Sequence, residues 1–190
     1  MRTAVTTYPF WLLVVVLFVS SIAQNGALAH LPALLSDRGV GSSGAAAALS
    51  AMGAASLLGR LTTGWFLDRY WAAYVSCVLL TMAAGGVLLL ASAHSLGQGV
   101  LAAALIGFGM GGEADVTPYL LARYFGLRSF ATLYGWTWTA YACAGAVGPV
   151  LMGRAFDAQG SYARLLTWMA LGTLVTGLLM LTLPRRDAQG

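Results

Sequence analysis

Residues 73–92 read AYVSCVLLTMAAGGVLLLAS, twenty consecutive positions without a charged side chain. Coiled as an α-helix rising 1.5 Å per residue, such a run covers about 30 Å, the thickness of a bilayer's hydrocarbon core. Working outward, comparable apolar runs fall at roughly 9–33, 44–67, 97–122, 130–153 and 163–183. They are continuously apolar, not alternating, which points to membrane helices and away from a strand-built barrel. Short connectors with helix-ending residues separate them: Ser36-Asp37-Arg38-Gly39, Asp68-Arg69-Tyr70-Trp71, Ala93-His94-Ser95, Gly126-Leu127-Arg128 and Asp157-Ala158-Gln159-Gly160. The expected fold is all-α: a polytopic membrane protein with six transmembrane helices in one bundle over residues 1–190.

Composition agrees. Of 190 residues, 59% are hydrophobic and only 8% charged, against roughly 25% charged in a soluble domain. Disordered chains are polar and charged, so disorder is excluded as well. The net charge of +4 comes from ten arginines, no lysine and six acids. The arginines stand singly among apolar runs, without the basic patch that nucleic-acid binding needs. Cys77 and Cys143 lie inside apolar runs and read as buried thiols. No metal or cofactor is expected; Gly107-Phe108-Gly109-Met110-Gly111-Gly112 sits inside an apolar helix, not after a strand, and reads as a helix-packing face built on Gly107 and Gly111.

Arginine placement sets the expected orientation. With a cytoplasmic N-terminus, Arg2, Arg69, Arg123, Arg128, Arg185 and Arg186 lie inside and Arg38, Arg154 and Arg164 outside, Arg60 being intramembrane. Six against three favours both termini inside, at the inner (cytoplasmic) membrane. Ala27-Leu28-Ala29 resembles a signal-peptide cleavage site, but the run from Phe10 to Leu31 is long for a signal sequence and contains Gln24 and Asn25, so an uncleaved first helix is expected.

The chain echoes itself. Gly59-Arg60-Leu61-Thr62-Thr63-Gly64-Trp65-Phe66-Leu67-Asp68 and Gly148-Pro149-Val150-Leu151-Met152-Gly153-Arg154-Ala155-Phe156-Asp157 share glycine, glycine and aspartate at positions 89 residues apart. Pro32-Ala33-Leu34-Leu35 and Pro118-Tyr119-Leu120-Leu121 repeat at 86 residues. Three crossings, an odd number, separate the copies, so equivalent positions face opposite sides of the membrane. That is a 3+3 inverted repeat, an arrangement that gives transporters inward- and outward-facing states from one architecture.

The segment from Gly59-Arg60 through Gly64 to Asp68-Arg69 resembles the cytoplasmic signature after the eighth helix of the major facilitator superfamily. Gly112-Glu113-Ala114-Asp115 through Pro118-Tyr119-Leu120-Leu121-Ala122-Arg123-Tyr124-Phe125-Gly126 is similar to its tenth helix and following loop. Ala144-Gly145-Ala146-Val147-Gly148-Pro149, then Phe156-Asp157 and Gly160-Ser161-Tyr162, resembles the eleventh. The nearest branch in flavour is that of monocarboxylate transporters and oxalate–formate antiporters. The resemblance implies the C-terminal six of twelve helices, hence one wall of a transport cavity. It also implies a second six-helix half or a second copy as partner, unless the chain is a truncated, non-transporting subunit.

Charges at mid-bilayer cost roughly 2.5–3.5 kcal/mol each on insertion scales and need a partner or a watery cavity. Arg60 lies about 5 residues, ~7 Å, cytoplasmic of its span's midpoint, and Glu113 and Asp115 about 3 and 5 residues from theirs, so pairing across helices is geometrically open. Two residues apart, Glu113 and Asp115 point about 200° away from each other; Asp115, Tyr119 and Arg123 share a face, as do Gly109, Glu113 and Thr117. One reading makes Arg60 the grip on an anionic substrate, since its planar fork suits a carboxylate, and Glu113 or Asp115 a proton or ion carrier. The other is an interhelical lock. The resemblance favours the first, because a matching arginine contacts substrate in the family, although many relatives carry an acid where this chain has Ser56. Gln24, Asn25 and His30 are the polar part of the first span, candidates for lining a pathway, with His30 also in reach of the outer headgroups. Tyr134, Trp138 and Tyr141 form one aromatic face, for the cavity or for packing. The resemblance makes Asp68-Arg69, with Arg123 on the neighbouring helix, a conformational gate; the plain alternative is a helix stop and a topology anchor. Transport is thus the expected function, with lipid, a small organic anion and protons as partners. An intramembrane protease is disfavoured: Gly41-Ser42-Ser43-Gly44 resembles a rhomboid-type serine motif, but His30 and His94, the two histidines, both belong to membrane edges.

Overall fold

A computed structural model describes residues 5–185, so Arg2 and Arg186, two of the orientation charges, lie outside the described residues. The described residues form α1 (Tyr8–Asp37), α2 (Ser42–Leu67), α3 (Ala72–Ala91), α4 (Leu96–Phe125), α5 (Phe130–Gln159) and α6 (Ala163–Met180), with one 3₁₀ turn at Leu127–Ser129. Each helix tracks one apolar run. Asp37 and the Asp157-Ala158-Gln159 stretch, expected in connectors, are helical. The chain turns where glycine takes up a left-handed backbone, at Gly39 (φ 81°) after α1 and Gly160 (φ 64°) after α5. Ser95 caps α4 by accepting the Gln98 backbone N–H at 3.3 Å.

Helices α1 to α4 and α6 are long and apolar enough to cross a membrane. Helix α5 has the length, 30 residues, but is less apolar, with Thr132, Thr137, Thr139, Arg154 and Asp157 along it. The bundle has two apolar clusters. One gathers Leu31, Leu34, Leu90, Ile106, Met152 and Leu166 toward the Asp37 end. The other gathers Phe10, Leu13, Leu120, Leu121, Leu133 and Met180 toward the Asp68 end. Between them lies a buried polar layer that includes Ser20, Ser21, Gln24, Glu113 and Thr137. A satisfied apolar core at both ends thus leaves polar chemistry for mid-depth.

The inverted repeat is visible in the packing. Helix α2 lies mainly against α4, and α5 against α1; α3 and α6 pack on each other and on α4 and α1 respectively. A Cβ at Gly59 would strike the Phe108 carbonyl on α4, and one at Gly148 the Ile22 carbonyl on α1. Gly59 and Gly148 are 89 residues apart, and Ile22 and Phe108 are 86 apart, matching both sequence echoes. Gly112 against Thr63 and Gly26 against Met152 repeat the relation. Gly107 and Gly111 face the carbonyls of Met52 and Ser56, as a small-residue helix contact requires.

The thiols differ from expectation: Cys77 is half-buried and Cys143 exposed, because Cys143 lies on the outward face of the loosely covered α5. Arg38, at the end of α1, donates to the carbonyls of Leu90 (2.7 Å), Ala91 (2.9 Å) and Ala93 (2.6 Å), closing the last turn of α3. Burial there lowers its pKa from the ordinary value, with Asp37 opposing the shift.

Candidate functional site

Helices α1, α2, α4 and α5 enclose a cavity of about 310 Å³ in the polar layer. Helix α1 contributes Ser21 and Gln24, and α2 contributes Ser56 and Arg60. Opposite them stand Glu113 and Thr117 of α4 and the Tyr134, Thr137, Trp138 and Tyr141 wall of α5. The α5 rings form a ladder: Phe130 stacks on Tyr134 at 5.3 Å, Tyr134 meets Trp138 edge-on at 6.1 Å, and Trp138 meets Tyr141 at 5.2 Å. Tyr134, Trp138 and Tyr141 thus line the cavity and pack on one another along the same face.

Glu113 is 8% exposed. Its Oε1 accepts from the Ser20 hydroxyl at 2.5 Å and its Oε2 from the Gln24 amide at 2.9 Å. Ser20 and Gln24 are one turn apart on α1 and so present a two-point cradle to α4. Among the described residues no cation forms an ion pair with Glu113. Ser20 is the residue that sequence reasoning missed. The available signal was its i, i+4 spacing to Gln24 at the depth of Glu113, but whether a helical serine faces a neighbour depends on the rotation of the helix.

Arg60 pairs with Asp115 through one contact of 3.5 Å, with side chains 56% and 35% exposed. The two acids thus divide as their helical angle requires, Glu113 toward α1 and Asp115 toward α2. Asp115 is not part of the cavity wall. Asn25 also stands apart: one residue on from Gln24, about 100° round the helix, it donates to the Ser21 carbonyl of its own helix at 2.9 Å. His30 bonds the Pro149 carbonyl at 3.1 Å and lies 5.4 Å from the Tyr162 ring, joining α1 to α5 and α6. No hydrogen bond links Ser42 or Ser43 to a histidine ring among the described residues.

At the other candidate locus, Asp68, Arg69 and Arg123 line one hollow of about 430 Å³ at the end of α2 and α4. Arg69 folds back over the Trp65 ring at 3.9 Å. Arg123 donates to the Tyr119 hydroxyl at 2.8 Å, which in turn lies 3.4 Å from the Leu67 carbonyl. Asp68 makes no ion pair among the described residues.

No curated protein matches the chain. A sequence model of the Major Facilitator Superfamily matches residues 1–149. Six helices in an inverted repeat, a polar cavity at mid-depth and this match over most of the chain converge: the protein belongs to the Major Facilitator Superfamily of membrane secondary transporters.

Proposed function

We propose that the chain is half of an alternating-access carrier that moves a small organic anion, such as a monocarboxylate, together with protons. The observation that carries this reading is one cavity holding both a solvent-open guanidinium and a buried carboxyl without a counter-cation. Arg60 spends a single long contact on Asp115, leaving the rest of its planar donor fork for a ligand carboxylate. Glu113, held between Ser20 and Gln24, is the proton-carrying group. Tyr134 and Trp138 supply the apolar wall that a short carbon chain needs.

Leu57 and Leu61 of α2 and Trp136 of α5, each next in sequence to a cavity-lining residue, are exposed, consistent with closure by a second six-helix half or a second copy. In the membrane both termini face the cytoplasm, as the arginine bias argues. The hollow at Asp68, Arg69 and Arg123 is then a cytoplasmic gate that re-forms in one state of the cycle. The test is uptake of radiolabelled butyrate and oxalate by proteoliposomes holding the full chain and any second half that copurifies with it. Arg60→Ala is expected to lower uptake at least tenfold; unchanged uptake refutes the assignment.

A further inference from the structure

Ser20 has more acceptors than its one hydroxyl hydrogen can serve. The residue is fully buried, and its Oγ lies 2.8 Å from the Val16 carbonyl, 3.2 Å from the Leu17 carbonyl and 2.5 Å from Glu113 Oε1. A hydroxyl donates one hydrogen and offers two lone pairs, and it rotates to suit its partners. Ser76, Thr173 and Thr176, also buried, face no such choice: each spends its hydrogen on a carbonyl about one turn back in its own helix. That back-bond is the usual way to satisfy a hydroxyl inside a helix. Ser20 has the same back-bond and, on its other side, a carboxyl reaching in from α4.

The second bond to the carboxyl fixes the sense of the first. Gln24 donates its amide N–H to Oε2 at 2.9 Å, and an amide N–H cannot accept. A proton on Glu113 therefore belongs on Oε1, where Ser20 stands. With Glu113 ionised, the Ser20 hydrogen points at Oε1. With Oε1 protonated, that hydrogen turns to the Val16 carbonyl, and Oγ accepts the new O–H along the same line. Every buried polar atom keeps a partner in both states, which a neighbour able only to donate would not allow. The ionisable groups that share the cavity with Glu113 are Arg60 of α2 and Tyr134 and Tyr141 of α5. Toward α3 and α6, Glu113 borders a small hollow whose lining from those helices is Ser76, Leu79, Leu80 and Met180, none of them ionisable. Asp115, on its own helix, is turned to Arg60.

We infer that Ser20 is the positioning residue for the proton on Glu113, donor to Oε1 in the ionised state and acceptor from Oε1 in the protonated one. The proton passes from cavity water to Oε1 and back, and no other covalent bond changes. This inference rests on the proposed proton-carrying role of Glu113 and deepens it, naming the oxygen that bears the proton and the group that receives it.

The experiment is infrared difference spectroscopy on acidification, in H2O and D2O, of the full chain in phosphatidylethanolamine–phosphatidylglycerol nanodiscs. A protonated-carboxyl C=O band that vanishes in Glu113→Gln identifies Glu113. In Ser20→Ala that band is expected at higher wavenumber, because the acid O–H has lost its acceptor, and Ser20→Thr restores its position. Ser20→Cys, close in size but a weak acceptor, moves it the same way and serves if the alanine variant does not fold. In proteoliposomes Ser20→Ala slows pH-driven butyrate accumulation at least severalfold and leaves butyrate-for-butyrate exchange nearly unchanged, which a merely structural role would not separate. A Glu113 band that stays in place in Ser20→Ala and Ser20→Cys overturns the inference, by putting the proton on Oε2. The absence of any Glu113 band overturns both the inference and the proton-carrying role. If the band follows Ser20 as stated but wild-type vesicles take up no butyrate, the anion-carrier reading fails and the assignment of the proton stands.

Discussion

Glu113→Gln separates proton coupling from anion translocation. The amide is nearly isosteric with the carboxyl, so its oxygen still accepts from the Ser20 hydroxyl or the Gln24 amide across α1 and α4. Glutamine cannot carry a proton. For one proton per anion, a gradient of one pH unit is worth about 1.4 kcal/mol, which sustains tenfold accumulation. Wild-type proteoliposomes are expected to approach that ratio, and Glu113→Gln to settle at equal concentrations inside and outside. Anion-for-anion exchange in the same vesicles should persist within a few-fold. Glu113→Ala behaves differently: Ser20 keeps the Val16 carbonyl at 2.8 Å, but the buried Gln24 amide loses its partner, costing about 1–3 kcal/mol. That variant should therefore melt earlier than Glu113→Gln. Full pH-driven accumulation in Glu113→Gln would refute the reasoning. Loss of exchange together with accumulation would make Glu113 a part of the binding site, not a proton carrier.

Other consequences follow from the same geometry. Asp115→Asn removes the competitor for Arg60; an exposed ion pair is worth up to about 1 kcal/mol, so butyrate should bind up to roughly fivefold tighter, and unchanged or weaker binding counts against displacement of Asp115 by ligand. Gly59→Ala and Gly148→Ala each drive a methyl into a backbone carbonyl of the facing helix. Each should cost about 1–3 kcal/mol in detergent unfolding, whereas Gly64→Ala and Gly153→Ala, with open space around them, should change little. Equal effects at all four positions would contradict the repeat-related crossings.

The six helices were legible because a membrane leaves uncharged runs few alternatives, and the repeat was legible because Gly59 and Gly148 must be glycine where backbones cross. Relative depth was readable in part: of Arg60, Glu113 and Asp115, read at similar depth, Arg60 and Glu113 line one cavity while Asp115 meets Arg60 outside its wall. Rotation about each helix axis was not. Gln24 and Asn25 are adjacent and chemically alike, yet one reaches Glu113 and the other bonds its own helix. The same uncertainty hid Ser20, and it left open which acid meets Arg60 until the crossing of α2 and α4 turned Asp115 toward it. Cys143 read as buried from its apolar neighbours, but α5 exposes that flank. Helix rotation is set by packing across the bundle, which local apolar runs do not encode.

Arg60 and Glu113 share one cavity, and in the proposed cycle water and then an anion fill it. The most direct test of that filling places one cysteine at Ser56, a cavity-lining neighbour of Arg60, with Cys77 and Cys143 changed to serine. Ser56→Cys is expected to react with a charged, membrane-impermeant thiol reagent, and butyrate to slow the reaction in proportion to its occupancy. A cysteine there that stays unreactive, or reacts at the same rate with and without the anion, would contradict the proposed cycle.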